Sequence, residues 1–497
     1  MGGRRRRRNE QHPPERLLGL TVIDIADKGR GLARHEGKVV FIEKAIPGDV
    51  VDVVAYDFKA AYAEGIAVRW IENSPLRVEP ICKHFGVCGG CKWQHYSYAG
   101  QLASKQKLVV ETLSRLGKMP LPAIAPIIGS PSTVHYRNKL EYTATHKRWI
   151  ESDALPWYMY DTLGTKAERM AEKAVATPAA SEPGLGFHMP GRFDKIVSIE
   201  HCHHMPEPAN AIRNWVHAYC MAQNLPYYDL KAQDSGWLRN LITRNTSTGQ
   251  WMVIVQVAYD APEWMQPLLD ALIQAFPQIT TLQYVVNTKL NDTFHGLEVH
   301  THTGPGYIEE QMEDLRFRIG PKSFFQTNTQ QSLRLYQEVR RMAALAGTEL
   351  VYDLYTGTGT IGLFLARQAK AIIGVEYVES AVEDARLNAE VNGIANATFF
   401  AGDMAKVLSR DFIAQHGRPD VVITDPPRAG MAPEVVERLL EAAPARIVYV
   451  SCNVATQARD LNLLSERYEI TEVQPIDMFP HTDHVENIVA LQLKPQS

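Results

Sequence analysis

The last third of the chain alternates short apolar runs with helical segments, and this alternation constrains the fold more than any other feature. The runs read ELVYDLY, AIIGVEY, VVITDPP and RIVYVSCN, and they lack the polar alternation of a half-exposed strand. Apolar strands separated by helices typically form a parallel sheet that is covered on both faces. We therefore predict a doubly wound, mostly parallel α/β domain over residues 321–497, with ligands at the carboxyl ends of its strands.

A glycine-rich turn follows the first of these strands. Residues 353–362 read DLYTGTGTIG and match the pattern Gly-x-Gly-x-x-Gly between a predicted strand and a predicted helix. Glu376 ends the next strand, where its carboxylate can accept hydrogen bonds from both ribose hydroxyls of a nucleotide. Asp403 ends the third strand and is placed to face an adenine ring. The glycine motif alone fits a nicotinamide dinucleotide as well as S-adenosylmethionine.

Two further strand ends favour S-adenosylmethionine. The fourth strand ends in DPPR (425–428) and the fifth in SCN (451–453). Hydride transfer needs no thiol there, whereas methyl transfer to an unreactive pyrimidine carbon does. A thiolate that adds to carbon 6 of the ring makes carbon 5 nucleophilic, and the thiolate can later leave. We therefore predict that Cys452 is a covalent nucleophile; the alternative is a buried, inert thiol.

The proton left on carbon 5 of such an adduct must be removed by a base before the cysteine can leave. The segment FPHTDHVEN (479–487) offers Glu486 as this base, with His481 and His484 as rivals. Arg428 stands where methyltransferases of exocyclic amino groups often carry an aromatic residue. Cytosine-5 enzymes that act on RNA typically carry a second cysteine beside the proline motif, and this chain has none there. The pattern therefore favours uracil.

The central region contains a cysteine cluster. Cys82, Cys88 and Cys91 lie within ten residues of one another, and Cys202 in the segment IEHCHH is a fourth candidate ligand. In a reducing cytosol such a cluster favours metal binding over disulfides. Four cysteines suit a zinc ion or an iron–sulfur cluster, and the spacing does not separate the two. Cys220 lies in an amphipathic segment, and we predict that it is a core residue.

The remaining organisation follows from turn residues and composition. Short alternating segments over residues 17–77 predict a β-barrel of the oligonucleotide-binding type, or else a plain structural β-domain. Residues 1–16 are predicted to be a disordered basic tail whose run Arg4–Arg8 either is solvated or contacts phosphates. The sequence pattern of residues 78–320 predicts a mixed α/β domain. We expect an amphipathic helix near Tyr98–Leu116 and an inserted segment at 147–183 within it.

Charge and hydropathy limit the function classes. The formal net charge is −4, so any surface that binds nucleic acid must be local. No run of about 18 apolar residues and no secretory leader occur, so we expect a cytoplasmic protein that does not span a membrane.

Taken together, these motifs resemble the RNA uracil-5-methyltransferase family over nearly the whole chain. In order they are a TRAM-like barrel near 18–77, the cysteine cluster, PKSFFQTN, DLYTGTGTIGLF, DPPRAGM, SCN and FPHTDHVEN. The chain is most similar to the branch that modifies 23S ribosomal RNA, which combines a TRAM domain with a [4Fe-4S] cluster on four cysteines. The resemblance implies a Rossmann-like S-adenosylmethionine methyltransferase domain, an iron–sulfur central domain and a monomer that acts on ribosomal RNA, with transfer RNA as the alternative.

The resemblance also assigns roles to residues. The implied ligands of the [4Fe-4S] cluster are Cys82, Cys88, Cys91 and Cys202. The implied contacts of S-adenosylmethionine are Gln326, Tyr355, Thr360, Glu376, Asp403 and Asp425. Cys452 would be the nucleophile and Glu486 the base, and residues 93–120 would pack with the catalytic domain. The chain departs from the family in the basic tail, in the long segment at 147–183 and at Thr356, where many members have cysteine.

Two rival functions remain at this point. A nicotinamide-dependent oxidoreductase with an iron–sulfur centre would use the same glycine-rich turn. An RNA-binding scaffold without activity would use only the barrel and the cluster. The motifs around Cys452 and Glu486 argue against both rivals.

Overall fold

The computed structural model describes residues 14–149 and 182–495. The run Arg4–Arg8 and residues 150–181 of the predicted insertion lie outside the described residues. In the part described, no helix combines the length and the apolar character needed to cross a membrane.

The N-terminal region is a single six-stranded sheet with the order β1-β5-β6-β4-β3-β2. Its strands are β1 (Glu15–Thr21), β2 (Asp24–Ala26), β3 (Arg30–His35), β4 (Lys38–Glu43), β5 (Val50–Phe58) and β6 (Tyr62–Glu72). Apolar residues of alternate strand positions, such as Val40, Ile42 and Val53, are fully buried between the strands. The first strand begins at Glu15, so it includes two residues of the predicted tail.

The central region begins with helix α1 (Tyr98–Leu116), which has the predicted bounds. Its mostly antiparallel sheet has the order β13-β12-β11-β10-β7-β8-β9. The elements are β7 (Lys139–Thr145), β8 (Gly184–Met189), β9 (Arg192–Ser198), α2 (Ala209–Ala222), β10 (Leu238–Asn245), β11 (Trp251–Val257), α3 (Pro262–Ala275), β12 (Thr281–Val286) and β13 (His300–Thr303). Cys220 on α2 is fully buried in the core under this sheet, as predicted.

The C-terminal region is the predicted doubly wound sheet, with the order β18-β17-β16-β19-β20-β22-β21. A separate hairpin, β14 (Ile308–Met312) and β15 (Leu315–Ile319), precedes this sheet. The strands of the sheet are β16 (Leu350–Leu354), β17 (Ala371–Glu376), β18 (Ala397–Ala401), β19 (Val421–Thr424), β20 (Arg446–Ser451), β21 (Tyr468–Ile476) and β22 (Glu486–Leu493). Its helices are α4 (Thr329–Ala343), α5 (Thr360–Leu365), α6 (Glu379–Val391), α7 (Met404–Val407), α8 (Arg410–His416), α9 (Pro433–Ala442) and α10 (Val454–Leu464).

Strands β16–β20 are parallel, and β22 runs antiparallel to both of its neighbours, β20 and β21. The chain order therefore reverses between β16 and β19, which is where ligands bind in sheets of this kind. Thr424, the last residue of β19, is completely buried, in keeping with a sheet covered on both faces.

Segments of the central region pack with the C-terminal region. Hairpin β14–β15 packs on α6, because the backbone N–H of Arg318 donates to Asn388 Oδ1 at 2.8 Å, and its apolar residues share the core of the C-terminal sheet. The predicted boundary at residue 321 therefore lies after a hairpin that packs with the catalytic region. Helix α1 also joins that region, since Val109 and Leu113 pack in one core with Leu461 of α10.

Candidate active site

The turn after β16 is shaped by the buried carboxylate of Asp353. This carboxylate accepts hydrogen bonds from the Thr356 hydroxyl and, at 2.9 Å, from the backbone N–H of Gly362. A side chain at Gly362 would begin 2.9 Å from the same carboxylate oxygen, so glycine is needed there. Burial raises the pKa of Asp353 to about 6. Tyr355 adopts a left-handed backbone conformation, with a φ of 61°.

The position of Asp353 separates the two nucleotide ligands that the glycine motif leaves open. A dinucleotide pyrophosphate binds the free backbone N–H groups at the start of the helix after such a turn. Here the N–H of Gly362, in the first turn of α5, already donates to Asp353. Asp353 is buried beneath the turn, so it removes one of the backbone donors that a pyrophosphate would use, and this favours S-adenosylmethionine.

Glu376 lies at the end of β17 and is held by the turn itself. Its two carboxylate oxygens accept hydrogen bonds from the backbone N–H groups of Gly357 at 3.1 Å and Val378 at 2.9 Å. Each oxygen retains a lone pair, and the residue is half-buried. The carboxylate is therefore fixed beside the turn, with capacity left for ribose hydroxyls.

Three other predicted cofactor contacts, Gln326, Thr360 and Asp403, already form hydrogen bonds within the protein. Gln326 lies just before α4, and its backbone oxygen accepts from Asn138 Nδ2 at 2.9 Å. The Thr360 hydroxyl lies 3.1 Å from Tyr336 Oη. Asp403 is exposed, and its Oδ1 caps α7 by accepting from two backbone N–H groups. Only its second carboxylate oxygen is therefore available to a ligand.

The register of the sheet brings Cys452 and Glu486 together. Strand β22 lies antiparallel to β20, and Ser451 pairs with Asn487. Cys452 and Glu486 are the next residues along the two strands, so they lie side by side at one edge of the sheet although 34 positions separate them in the sequence. Asp425 ends the neighbouring strand β19 on the other side of β20.

The electrostatics of this edge disfavour charge on both predicted catalytic groups. The pKa of Cys452 is raised to about 11 by burial and by the nearby carboxylates of Glu486 and Asp425, against which Arg428 acts to lower it. Burial, and then Asp425, raise the pKa of Glu486 well above its usual 4.5. Burial and Asp353 raise the pKa of Asp425 to about 7. Acidic groups thus crowd a site whose predicted ligand carries positive charge.

The two rival bases are engaged differently. His481 is turned towards α1: its Nδ1 lies 3.2 Å from Gln101 Nε2, and its backbone oxygen accepts from the N–H of Trp93 at 3.0 Å. His481 therefore holds the 477–486 loop against the central region. His484 Nε2 lies 3.2 Å from Arg428 Nη2 and lines the cavity that Cys452 lines, so it remains a rival.

A cavity of about 400 Å³ opens beside Cys452 and is lined by three cations. Arg428 follows β19, Lys92 follows the cysteine cluster, and Lys28 comes from the N-terminal sheet. Lys92 forms an ion pair with Asp483 at 2.9 Å. Neither lysine was predicted from the sequence, in which the cationic turn KGRG at 28–31 was the available signal. A cationic rim at this cavity suits a polyanionic backbone.

The N-terminal sheet is anchored at this rim. Trp93 Nε1 donates to the backbone oxygen of Gly29 at 2.9 Å, and Lys107 on α1 forms an ion pair with Asp24 at 2.6 Å. Gly29 has a φ of 71°, and a Cβ there would lie 2.9 Å from Trp93 Nε1. Only glycine allows this close approach, which brings Lys28 to the cavity.

The site makes one prediction about the reactivity of Cys452. Arg428→Ala removes the cation that lowers the pKa of Cys452, so the thiolate fraction at a given pH should fall. Alkylation of Cys452 by iodoacetamide, followed by mass spectrometry of its peptide, should then slow by about tenfold for each pKa unit gained. Arg428→Lys keeps the charge and should react at nearly the wild-type rate. Equal rates in Arg428→Ala and wild type would contradict the proposed electrostatics.

A second cavity, of about 390 Å³, is lined by all four predicted cluster ligands. Cys91 Sγ lies 2.7 Å from His204 Nε2 and accepts from Gln94 Nε2 at 3.3 Å. Burial raises the pKa of Cys88 to about 11 and that of Cys202 to about 12. A metal centre would be needed to keep these thiols ionised at neutral pH.

The spacing of the thiols tests the two metal centres that the sequence leaves open. Tetrahedral zinc with Zn–S bonds of 2.3 Å requires sulfur atoms about 3.8 Å apart. Among the described residues, no three of these thiols lie within 4.8 Å of one another. Rotation of the cysteine side chains would close the four sulfur atoms on one ion or around a cluster, so this donor set is compatible with zinc and with an iron–sulfur cluster.

Comparisons with known proteins agree with this arrangement. A family model described as tRNA (uracil-5-)-methyltransferase matches residues 304–494, and a TRAM domain model matches residues 18–68. A protein of Bacteroides thetaiotaomicron named an uncharacterized RNA methyltransferase is 49% identical over 95% of this chain and 100% of its own length. A protein of Porphyromonas gingivalis with the same name is 48% identical over 95% of this chain and 99% of its own.

One solved structure is similar over nearly the full length. It is the tRNA (uracil-54, C5)-methyltransferase of Pyrococcus abyssi in complex with S-adenosyl-L-homocysteine. It is 27% identical to this chain, covers 95% of this chain and 99% of its own, and superimposes with a TM-score of 0.71. The similarity extends over the N-terminal, central and C-terminal regions alike.

Proposed function

Because this chain belongs to the RNA methyltransferase family of those relatives, we propose that it methylates carbon 5 of a uridine in RNA through a covalent adduct on Cys452. S-adenosylmethionine supplies the methyl group. The observation that carries the proposal is the register that sets Cys452 beside Glu486, one strand from Asp425, at the ligand-binding edge of the sheet.

The residues would act in the following sequence. The Cys452 thiolate adds to carbon 6 of uracil, and the electron pair of the 5,6 double bond passes into an enolate. Carbon 5 of that enolate then takes the methyl group, and the methyl–sulfur bond of the donor breaks to leave S-adenosylhomocysteine. Glu486 removes the remaining proton from carbon 5, the double bond re-forms, and the carbon–sulfur bond breaks to return the thiolate. The proton on Glu486 finally passes to solvent, so that the cycle balances.

The raised pKa values suit the two roles. A carboxylate with the usual pKa of a glutamate is a weak base, and the burial that raises the pKa of Glu486 makes its ionised form a stronger proton acceptor. The high pKa of Cys452 likewise makes its thiolate more nucleophilic once formed. Arg428, which lowers the pKa of both groups, is the residue that would help the thiolate to form in the closed site.

The cofactor contacts complete the proposal. We assign the ribose to Glu376 and the methionine part and sulfonium to the acidic side of the turn near Asp425, with Gln326 and Tyr355 closing the pocket. Thr360 and Asp403 would bind the cofactor through oxygen lone pairs that are not used in their hydrogen bonds to Tyr336 and to the backbone of α7.

The four cysteines would hold a [4Fe-4S] cluster with a structural role. The methyl transfer is redox-neutral, so it needs no electrons from such a centre. Cys91 is followed directly by Lys92 and Trp93, whose backbone N–H groups donate to the His481 oxygen at 2.9 and 3.0 Å. Ordering the cysteine loop would therefore order the loop that carries Glu486.

For the substrate we propose 23S ribosomal RNA, with a cytoplasmic monomer as the acting form. The combination of a TRAM domain with the four-cysteine set supports this choice. Transfer RNA is the second candidate, because the matching family model and the similar solved structure are named for enzymes of transfer RNA. The cations Lys28, Lys92 and Arg428 would contact the backbone of either RNA.

The experiment that tests the function is the mapping of 5-methyluridine in a strain that lacks the gene. We expect one or more 5-methyluridines of 23S ribosomal RNA to be lost and to return when the wild-type gene, but not its Cys452→Ala form, is supplied. Loss from transfer RNA alone would replace the proposed substrate and keep the chemistry. An unchanged 5-methyluridine content in both RNAs would contradict the proposed function.

A further inference from the structure

Three histidines outside the catalytic site form a group with metal-ligand spacing. His135, His201 and His203 each offer one ring nitrogen, and these three nitrogens lie within 4.8 Å of one another. The group contains no thiol, although His201 and His203 line the same cavity as the four cysteines, with Cys202 between them in the sequence. Nothing in the methyl-transfer cycle uses these rings.

We infer that His135, His201 and His203 form a binding site for a divalent transition-metal ion, with zinc as its natural occupant. Imidazole is a preferred ligand of zinc, and three histidines with a water as fourth ligand are a common zinc set. Zn–N bonds of about 2.0 Å require nitrogens about 3.3 Å apart, so the present group needs only side-chain rotations to close on an ion.

The backbone already fixes the two segments that carry the ligands. The N–H of His135 donates to the oxygen of His203 at 2.7 Å, and the N–H of Arg137 donates to the oxygen of His204 at 2.8 Å. The rings of His201 and His203 are in edge contact, with centroids 4.4 Å apart. Two of the three ligands are thus preorganised by sequence proximity, and the third is brought to them by main-chain hydrogen bonds.

The ring nitrogens are free to bind a metal. Among the described residues, Glu207 Oε1 approaches His201 Nδ1 only to 3.8 Å, which is beyond hydrogen-bond distance. His135 is exposed, and the other two are half-buried, so an ion can enter and water can complete its coordination.

The carboxylate of Glu207 lies beside His201, in the position that a carboxylate supporting a zinc-bound histidine usually takes. Glu207 Oε1 lies 3.8 Å from His201 Nδ1, and Glu207 is itself held by Asn210 Nδ2 at 2.8 Å. Metal-bound histidines usually direct their second ring nitrogen at such a carboxylate, which orients the ring and raises its basicity. This contact leaves Nε2 of His201 as the nitrogen that would bind the ion.

The site would join two functional segments. The segment 199–204 carries Cys202, and Asn138, three residues after His135, donates to the backbone oxygen of Gln326 at 2.9 Å. An ion on the three histidines would therefore tie the loop of the fourth cysteine to the segment that supports a cofactor-binding residue. The inference does not rest on the proposed methyl transfer.

The test is a zinc titration of the full-length protein, purified without a polyhistidine tag and dialysed against a chelator. We expect one zinc ion per chain by calorimetry, and an affinity about 100-fold weaker in His135→Asn and in His203→Ala. His135→Asn keeps the left-handed backbone conformation of residue 135, whose φ is 54°, because asparagine tolerates it. The matched control is His295→Asn, an exposed histidine outside the group, and it should bind zinc as wild type does.

Cobalt(II) then reports the ligands directly. A site of three histidines should give visible d–d bands without an intense sulfur-to-metal charge-transfer band, and these bands should vanish in His135→Asn. Equal zinc affinity in wild type and His135→Asn would overturn the inference. If the protein binds a single cobalt ion and that ion gives a charge-transfer band, the inference is also overturned, because the ion then lies at the cysteines.

Discussion

A Cys452→Ala variant is expected to bind S-adenosylmethionine as tightly as wild type and to transfer no methyl group to RNA. The proposed cofactor site is formed by Asp353, Glu376 and the glycine-rich turn, and their hydrogen bonds do not involve the Cys452 thiol. The chemistry, in contrast, depends on the thiol to make carbon 5 nucleophilic. Loss of a covalent nucleophile typically costs a factor of at least about 10⁴ in turnover.

The measurement pairs calorimetry with S-adenosylmethionine and transfer of a tritiated methyl group to RNA from the deletion strain. Cys220→Ala is the matched control, because Cys220 is a buried cysteine of α2 in the core of the central sheet. It removes one sulfur atom without touching the active site. Methyl transfer by Cys452→Ala at more than a trace of the wild-type rate would rule out the covalent mechanism.

Local sequence patterns predicted the elements of this site well, because those elements depend on neighbouring residues. The amphipathic period of residues 98–116 predicted α1 with its observed bounds. The apolar runs predicted β16, β17, β19 and β20, and the buried carboxylate of Asp353 lies in the turn that the glycines marked. Cys452 directly follows β20, at the strand end where the sequence placed it.

What the sequence could not predict is which distant segments lie side by side. The last strand in the chain, β22, inserts between β20 and β21, and only this insertion makes Glu486 a neighbour of Cys452. Strand order depends on how the whole sheet closes over its core, which no local pattern encodes. The same limit explains why Lys28, from the first domain, was not foreseen at the cavity of the last.

The domain boundary at residue 321 shows a different limit. Strand β15 of this hairpin, LRFRI, alternates apolar and polar residues, as any strand with one buried face does. That pattern fits the central sheet and the catalytic sheet equally well. The hydrogen bond from Arg318 to Asn388 decides the matter in the fold, and such a contact is invisible in the sequence.

Replacement of Glu486 by glutamine is expected to stop the cycle after methyl transfer and before release of the cysteine. Glutamine keeps the shape of the side chain but cannot accept the proton on carbon 5, so the carbon–sulfur bond cannot break. The protein–RNA adduct should therefore accumulate with S-adenosylmethionine present, migrate more slowly than free protein on a denaturing gel, and contain a methylated base. Wild type should show only a trace of this species, because elimination follows methylation at once.

Two further variants serve as controls for this experiment. Glu469→Gln is the matched control, since Glu469 is an exposed residue of β21, and it should accumulate no adduct. His484→Gln separates the remaining rival base, because His484 lines the same cavity as Cys452. If His484→Gln traps the methylated adduct while Glu486→Gln turns over, the base is the histidine. If only Glu486→Gln traps it, the buried carboxylate beside Cys452 removes the proton, and its raised pKa has a direct catalytic use.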